Sequence, residues 1–277
     1  MNTKYLQELF DKHQKAAECP SPQKAVKFFE NMLGLLFPEF SKVTFETFEE
    51  LQAFSISLKI EFEGILSKNI LPKNTSVNTI SETFFNELPN IREALLEDIE
   101  AVYLGDPAAQ STAEVVRTYP GFYAIAAHRI ANFLHQQKIV LLPRIIAEHA
   151  HSKTGIDIHP AAIIGKHFCI DHGTGVVIGE TTVIGDNVKI YQGVTLGALS
   201  VDKADARTKR HPTIGNHVII YAGATILGGN THIGDNSIIG GNVWLTQSVK
   251  SGSKVYYKIQ PNADGLQSEL ILHKDLK

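Results

Sequence analysis

A handful of side chains in this sequence have the types and spacing to do chemistry together. His172 directly follows Asp171, and Asp157 stands a short way upstream. A carboxylate that accepts the far ring N–H of an imidazole fixes its tautomer and makes its other nitrogen a better base. Asp157 and His172 can therefore form a general base for an alcohol nucleophile, or simply a hydrogen bond at a corner of the fold. Further on, Arg210-His211-Pro212 offers a guanidinium able to grip a carboxylate through two parallel N–H bonds. The competing reading pairs Arg210 with Asp202 or Asp205 in its own segment. Asp106-Pro107 taken alone reads as a helix cap. The 12 histidines are enough to raise the question of a metal site. No His-x-Glu-x-His or Cys-x-x-Cys spacing accompanies them, so no metal is expected. His13, His135, His217, His232 and His273 lie among polar residues and read as solvent-facing.

The element that positions these residues is a repeat. From Ile158 to Leu245 an aliphatic residue returns every six positions: Ile158, Ile164, Ile170, then Ile178, Ile184, Ile190, Leu196, then Ile214, Ile220, Ile226, and last Ile233, Ile239, Leu245. A second inward candidate follows four residues later at Val188, Val194, Val218, Ala224, Ser237, Val243 and Val249. Strict repetition at this period marks a parallel β-helix of hexapeptides, one short strand and one corner each. Three sides close a coil, so residues about 18 apart stack at the ordinary strand spacing of about 4.8 Å. On that count Asp157 and His172 fall near one corner on adjacent rungs. The rhythm breaks at Asp171-His172-Gly173-Thr174-Gly175, at Ala198 to Pro212 and at Gly228-Gly229-Asn230. The second break must leave the coil as a loop of about a dozen residues, a length that usually serves function.

Residues 1–154 show helical periodicity instead and read as an α-helical domain; 155–249 form the β-helix and 250–277 a tail. Ser21-Pro22 opens one helix, and Thr47-Phe48-Glu49-Glu50 and Thr79-Ile80-Ser81-Glu82 match the capping box. Pro89 is expected to break or kink the helix it falls in. An apolar stripe runs through Phe122, Ile125, Ala126, Ile130, Phe133 and Leu134, with His128 and Arg129 beside it as packing or solvated residues. Lys254 to Ile259 can add an edge strand. The fold class is thus α+β. With 43% hydrophobic and 20% charged residues the chain is a globular one, and a net charge of −3 with no basic run argues against nucleic acid. Cys19 and Cys169 form no disulfide framework, the N-terminus lacks an apolar signal core, and no stretch approaches the ~20 apolar residues of a membrane span. A cytoplasmic protein is expected, with no membrane contact.

Asp157-Ile158-His159-Pro160, Asp171-His172-Gly173-Thr174-Gly175, Val177-Ile178-Gly179-Glu180-Thr181 and Arg210-His211-Pro212 together resemble serine O-acetyltransferase. Gln192 to Gly197 and Asp106-Pro107-Ala108 share the resemblance, which covers residues 100 to 245. It implies transfer of acetyl from acetyl-CoA to the hydroxyl of L-serine, for cysteine biosynthesis, by direct attack without an acyl-enzyme. By that resemblance His172 is the general base and Asp157 its orienting partner. Asp106 and Asp171 meet the serine ammonium, and Arg210 with His211 its carboxylate. Gly197, Ala198 and Ala222 line a CoA groove between neighbouring subunits. A left-handed coil and a homotrimer, or a dimer of trimers, are implied too, with sites shared between chains. Cysteine, nearly isosteric with serine, is the expected feedback inhibitor. The chain departs from the family in its long 198–212 loop and in Ala198, where the best-known members have a second Gly. It ends in Lys277 where members that dock into O-acetylserine sulfhydrylase end in Ile, so that docking is not expected. The competing functions are acetyl transfer to an amino sugar, a γ-class carbonic anhydrase, and a prism that only presents a partner surface.

Overall fold

The computed structural model describes residues 2–16, 19–199, 208–262 and 265–274. Among the described residues seven α-helices come first: α1 (Thr3–Ala16), α2 (Pro22–Leu36), α3 (Phe48–Leu66), α4 (Val77–Gly105), α5 (Thr112–Thr118), α6 (Pro120–Gln136) and α7 (Leu142–Thr154). Their starts follow local chemistry. Thr47 Oγ1 accepts the Glu50 N–H at 3.2 Å, closing one arm of the expected box at α3. The box at Thr79 is not used, because Ser76 caps α4 three residues earlier and accepts the Thr79 N–H at 3.0 Å. Nor does Pro89 break its helix. α4 runs through it, carrying Leu88, Ile91, Leu95, Ile99 and Val102 into the core, and that burial outweighs one missing backbone bond. Phe28, Phe62 and Phe84 fill the helical interior, with the first two rings stacked at 4.9 Å.

The coil begins as α7 ends, where Gly155 takes a left-handed φ of 70°. Its strands form three parallel faces. The first face stacks β1 (Asp157–Ile158), β4 (Val177–Ile178), β7 (Thr195–Gly197), β10 (Thr225–Leu227) and β13 (Trp244–Leu245). The second stacks β2 (Ile163–Ile164), β5 (Val183–Ile184), β8 (Thr213–Ile214) and β11 (His232–Ile233). The third stacks β3 (Cys169–Ile170), β6 (Lys189–Ile190), β9 (Ile219–Ile220) and β12 (Ile238–Ile239). Register follows the aliphatic count throughout: Ile158 sits on Ile178, Ile184 on Ile214 and Ile220 on Ile239. Val188, Val194, Val218, Ala224, Ser237 and Val243 are fully buried, as the second inward position requires. The tail does more than add an edge strand. β14 (Ser253–Asn262) continues the third face in parallel with β12 and turns back as β15 (Gly265–Lys274) in a hairpin.

The helices are bolted to the first coil by a buried ion pair. Arg129 on α6 grips Asp98 on α4 through Nε (2.5 Å) and Nη2 (2.7 Å), and Nη2 also donates to the Gly165 carbonyl at 2.9 Å. Asp98 Oδ1 in turn accepts the Phe168 N–H at 2.9 Å. Two helices and the corner between β2 and β3 thus share one charge pair. Next to Arg129, His128 is buried in the packing, where loss of water lowers its pKa to about 3. At the other end of α6, Gly121 lies so close to the coil that a Cβ would come within 2.4 Å of the Ile170 carbonyl oxygen. Glycine there lets the helix start sit directly on β3. Among the described residues no helix is long and apolar enough to cross a membrane.

Candidate active site

Two corners of the prism collect the candidate residues, one on either side of the first face. The corner between the third and first faces carries Asp171 and His172. The extra residues of Asp171 to Gly175 bulge outward there, and His172 takes a left-handed φ of 57° that leaves its side chain 71% exposed. Its Nε2 lies 3.8 Å from Asp171 Oδ1. Asp157 opens β1 at the same corner, and no hydrogen bond joins its carboxylate to the His172 ring. Asp171 is buried, and its Oδ2 accepts Lys189 Nζ at 2.9 Å. Lys189 also donates to the Gly105 carbonyl at 2.7 Å and stands 4.5 Å over the Tyr191 ring. Burial alone would lower the Lys189 pKa, but its bonds to Tyr191 and Asp171 outweigh that and raise it. Asp106, the C-cap of α4, reaches this corner from the helical side. Its Oδ2 accepts the Tyr119 hydroxyl at 2.6 Å and its Oδ1 the Ala108 N–H at 2.9 Å. Those bonds, with Lys189 and His172 adding their charges, hold Asp106 below the usual carboxylate range. The same bond pushes Tyr119 up to about 12.

The corner between the first and second faces carries Glu180, Thr181, Arg210 and His211. Thr181 Oγ1 accepts the backbone N–H groups of Arg210 (2.9 Å) and His211 (3.0 Å), which fixes the point where the long loop rejoins the coil. The Thr181 N–H donates to His211 Nδ1 at 3.1 Å, so this nitrogen is the acceptor and Nε2 carries the ring proton. Burial, then the charge of Arg210, lowers the His211 pKa to about 4 and keeps the ring neutral. Gly179 makes room for it, since a Cβ there would meet the His211 ring at 2.0 Å. The Arg210 guanidinium is held by Glu180. Asp202 and Asp205, the other partners considered for it, lie outside the described residues. His159 stands nearby with its Nδ1 accepting the Ala161 N–H at 3.0 Å, and burial lowers it to about 4. Gly197 and Ala198 sit at this second corner, half-buried, whereas half-buried Ala222 sits at the first. Among the described residues no three His, Cys, Asp or Glu side chains converge as a metal site. Buried Cys169, pushed up to about 12 by desolvation, packs beside Lys189.

The chain has relatives among known proteins. The family model described as "Serine acetyltransferase, N-terminal" matches residues 38–127. A plasmid-encoded serine acetyltransferase of Synechococcus elongatus is 55% identical over 194 residues, which cover 68% of this chain but 60% of that one. The serine acetyltransferase of Staphylococcus aureus is 52% identical over 159 residues, or 57% of this chain and 72% of its own length. The chain belongs to the serine acetyltransferase family. Among solved structures, Entamoeba histolytica serine acetyltransferase 1 in complex with L-cysteine superposes with a TM-score of 0.73 at 38% identity, covering 82% of this chain and 85% of that one. The family match also extends upstream of residue 100, into helices where the sequence motifs had not carried it.

The roles of three residues at these corners were not legible in the sequence. Lys189 is one outward-facing residue among many on the coil. The signal available was its place directly before inward Ile190, one rung above Cys169. Tyr119 lies outside the repeat, and Glu180 carries no spacing signature of its own until Arg210 is seen to fold back beside it.

Proposed function

We propose that this family member transfers acetyl from acetyl-CoA to the hydroxyl of L-serine, with His172 as general base. The observation that carries this reading is the exposed imidazole at the register break, flanked by the two carboxylates of Asp106 and Asp171. A serine ammonium is met by those carboxylates, and its hydroxyl lies against the ring. The ring takes the hydroxyl proton as the serine oxygen attacks the thioester carbon. As the carbon–sulfur bond breaks, the ring returns that proton to the departing sulfur. Nothing at the corner calls for an acyl-enzyme, since Cys169 is buried with its thiol held protonated. Asp157, at the same corner, becomes the orienting partner when the ring turns toward β1.

The serine carboxylate is assigned to Arg210 and His211, whose Nε2–H and guanidinium are donors. These stand on a different corner from His172, so one serine is best received between the first corner of one subunit and the second corner of its neighbour. That supports a homotrimer, alone or paired as a dimer of trimers, and the family resemblance makes its coils left-handed. The same logic puts the CoA groove between chains, because Gly197 and Ala198 share one corner and Ala222 the other. Cysteine, with a thiol in place of the hydroxyl, fits the same contacts and would inhibit by competing with serine. The domain boundaries at 154 and 249 and a cytoplasmic location belong to the same reading. The deciding experiment is a thiol-release assay with acetyl-CoA and L-serine, run beside amino-sugar acceptors. CoA release with serine alone is expected; release with an amino sugar alone would replace this reading with the other acceptor class.

A further inference from the structure

We propose that Lys189 is a positioning residue for the amino-acid half of this site: its ammonium ties Asp171 to the end of α4 and sets the gap between the Asp171 and Asp106 carboxylates. The inference rests on the assignment of those two carboxylates to the serine ammonium. Asp171 belongs to the coil and Asp106 to the helical half, and no strand pairing links the two. Lys189 Nζ supplies a link, with 2.9 Å to Asp171 Oδ2 and 2.7 Å to the carbonyl of Gly105, the residue before Asp106. This is not a surface ion pair held loosely in water. The Lys189 and Asp171 side chains are 15% and 10% exposed, where a pair is screened little and its geometry is fixed by neighbours. The lysine stem is clasped as well, since a Cβ on Gly105 would lie 3.7 Å from its Cδ and 3.3 Å from Cys169 Sγ.

Beneath the ammonium, Tyr191 stacks flat on Tyr221 one rung further along, with centroids 5.1 Å apart and planes 10° from parallel. The ring therefore cannot tilt away without breaking that stack. With Asp171, Gly105 and Tyr191 around it, the ammonium turns its three donors to the protein, and it is not itself a substrate ligand. Asp171 keeps its other oxygen, Oδ1, on the His172 side. Lys189 thus compensates a buried carboxylate before substrate arrives and fixes which edge of it faces the imidazole.

The test is steady-state kinetics of the full-length protein and of Lys189→Met, with serine and acetyl-CoA varied in turn. Loss of one hydrogen bond to a charged partner corresponds to about 10- to 100-fold in affinity, so the serine KM is expected to rise by that factor. The acetyl-CoA KM and kcat are expected to stay within about threefold, with Lys189→Arg recovering part of the serine KM. In an Asp171→Asn background Lys189→Met should add little, because the two residues act through one contact. A serine KM that is unchanged or falls, or effects that add independently of Asp171, would overturn the proposal. So would an equal rise in both Michaelis constants, the mark of general loosening. If Lys189→Met does not fold by circular dichroism, Lys189→Gln, which keeps a donor for the Gly105 carbonyl, takes its place with the same pattern expected. A wild-type protein that turns over acetyl-CoA without serine fails at the underlying reading, whereas serine turnover unaffected by Lys189 fails at this one.

Discussion

The two corners flanking the first face are built in different ways. The corner of His172 is a joint between domains: Asp171 comes from the coil, Asp106 and Tyr119 from the helices, and Lys189 bridges them. At the corner of Arg210 the described contacts come from the coil, where a threonine on one rung gathers the backbone and ring of residues 210 and 211. The first is therefore as well ordered as the docking of α4 and α6 on β3. The second depends on a single turn and on the glycine that leaves space for His211. Disturbing the helical domain should act on one half of the site, and disturbing the turn on the other.

The largest effect expected is at the residue that both halves serve. His172→Ala should lower kcat by about 10²–10⁴ while thermal stability is preserved, since its side chain is exposed. Near-normal turnover would remove the general base from the first corner. Breaking the bolt comes next. Arg129→Ala leaves Asp98 buried without its partner, a change worth about 3–5 kcal/mol, and should show as a clear drop in melting temperature with a raised serine KM. An unchanged melting curve would mean that the helices do not hold the first corner in place.

Gly179→Ala tests the second corner without touching the helices. The added methyl overlaps the His211 ring, and overpacking of this kind costs about 1–3 kcal/mol. We expect weaker serine binding with the acetyl-CoA KM unaltered; a normal serine KM would take His211 out of the substrate site. Acid should separate the corners more gently. His211 and His128 have pKa values lowered from the ordinary 6.5 to about 4 and about 3. The folded protein keeps them neutral while unfolded chain takes up protons below 6.5, so their contribution is complete above that pH and fades as pH falls toward 4 and then 3. Asp106 is lowered in the same direction from its own ordinary value, staying ionised below 3.8, so its contribution too is lost on acidification, at lower pH. A melting temperature that falls between pH 6.5 and 4, and falls less in His211→Gln, is expected. A flat profile over that window would contradict the neutral, buried state of the second corner.

The coil was readable because each inward side chain repeats at a fixed step, and pairing between Ile158, Ile178, Leu196 and Ile226 follows from that step once the residues added at the breaks are set aside. The helical half was readable only as helices. Its caps compete locally, so Ser76 won over Thr79, and α4 carried Pro89 because what decides continuity is burial further along the chain. At the site, the members of each corner that lie within one motif were evident, as with Asp171-His172 and Arg210-His211. What joins motifs was not, because the partner of Asp106 is Tyr119 and the partner of Asp171 is Lys189, choices fixed by how α4, α6 and β3 meet in space. The hydrogen bond expected between Asp157 and His172 is likewise a matter of ring rotation, which spacing does not encode.

The unequal spans between stacked residues have a consequence for how the chain finds its register. On the first face, successive partners are twenty residues apart at Ile158–Ile178, eighteen at Ile178–Leu196, thirty at Leu196–Ile226 and nineteen at Ile226–Leu245. A staircase of identical steps can slip by one tread and still look right at each contact. Here a slipped tread would strand the wrong number of residues at the next bend, so each level fits a single neighbour, like the wards of a lock.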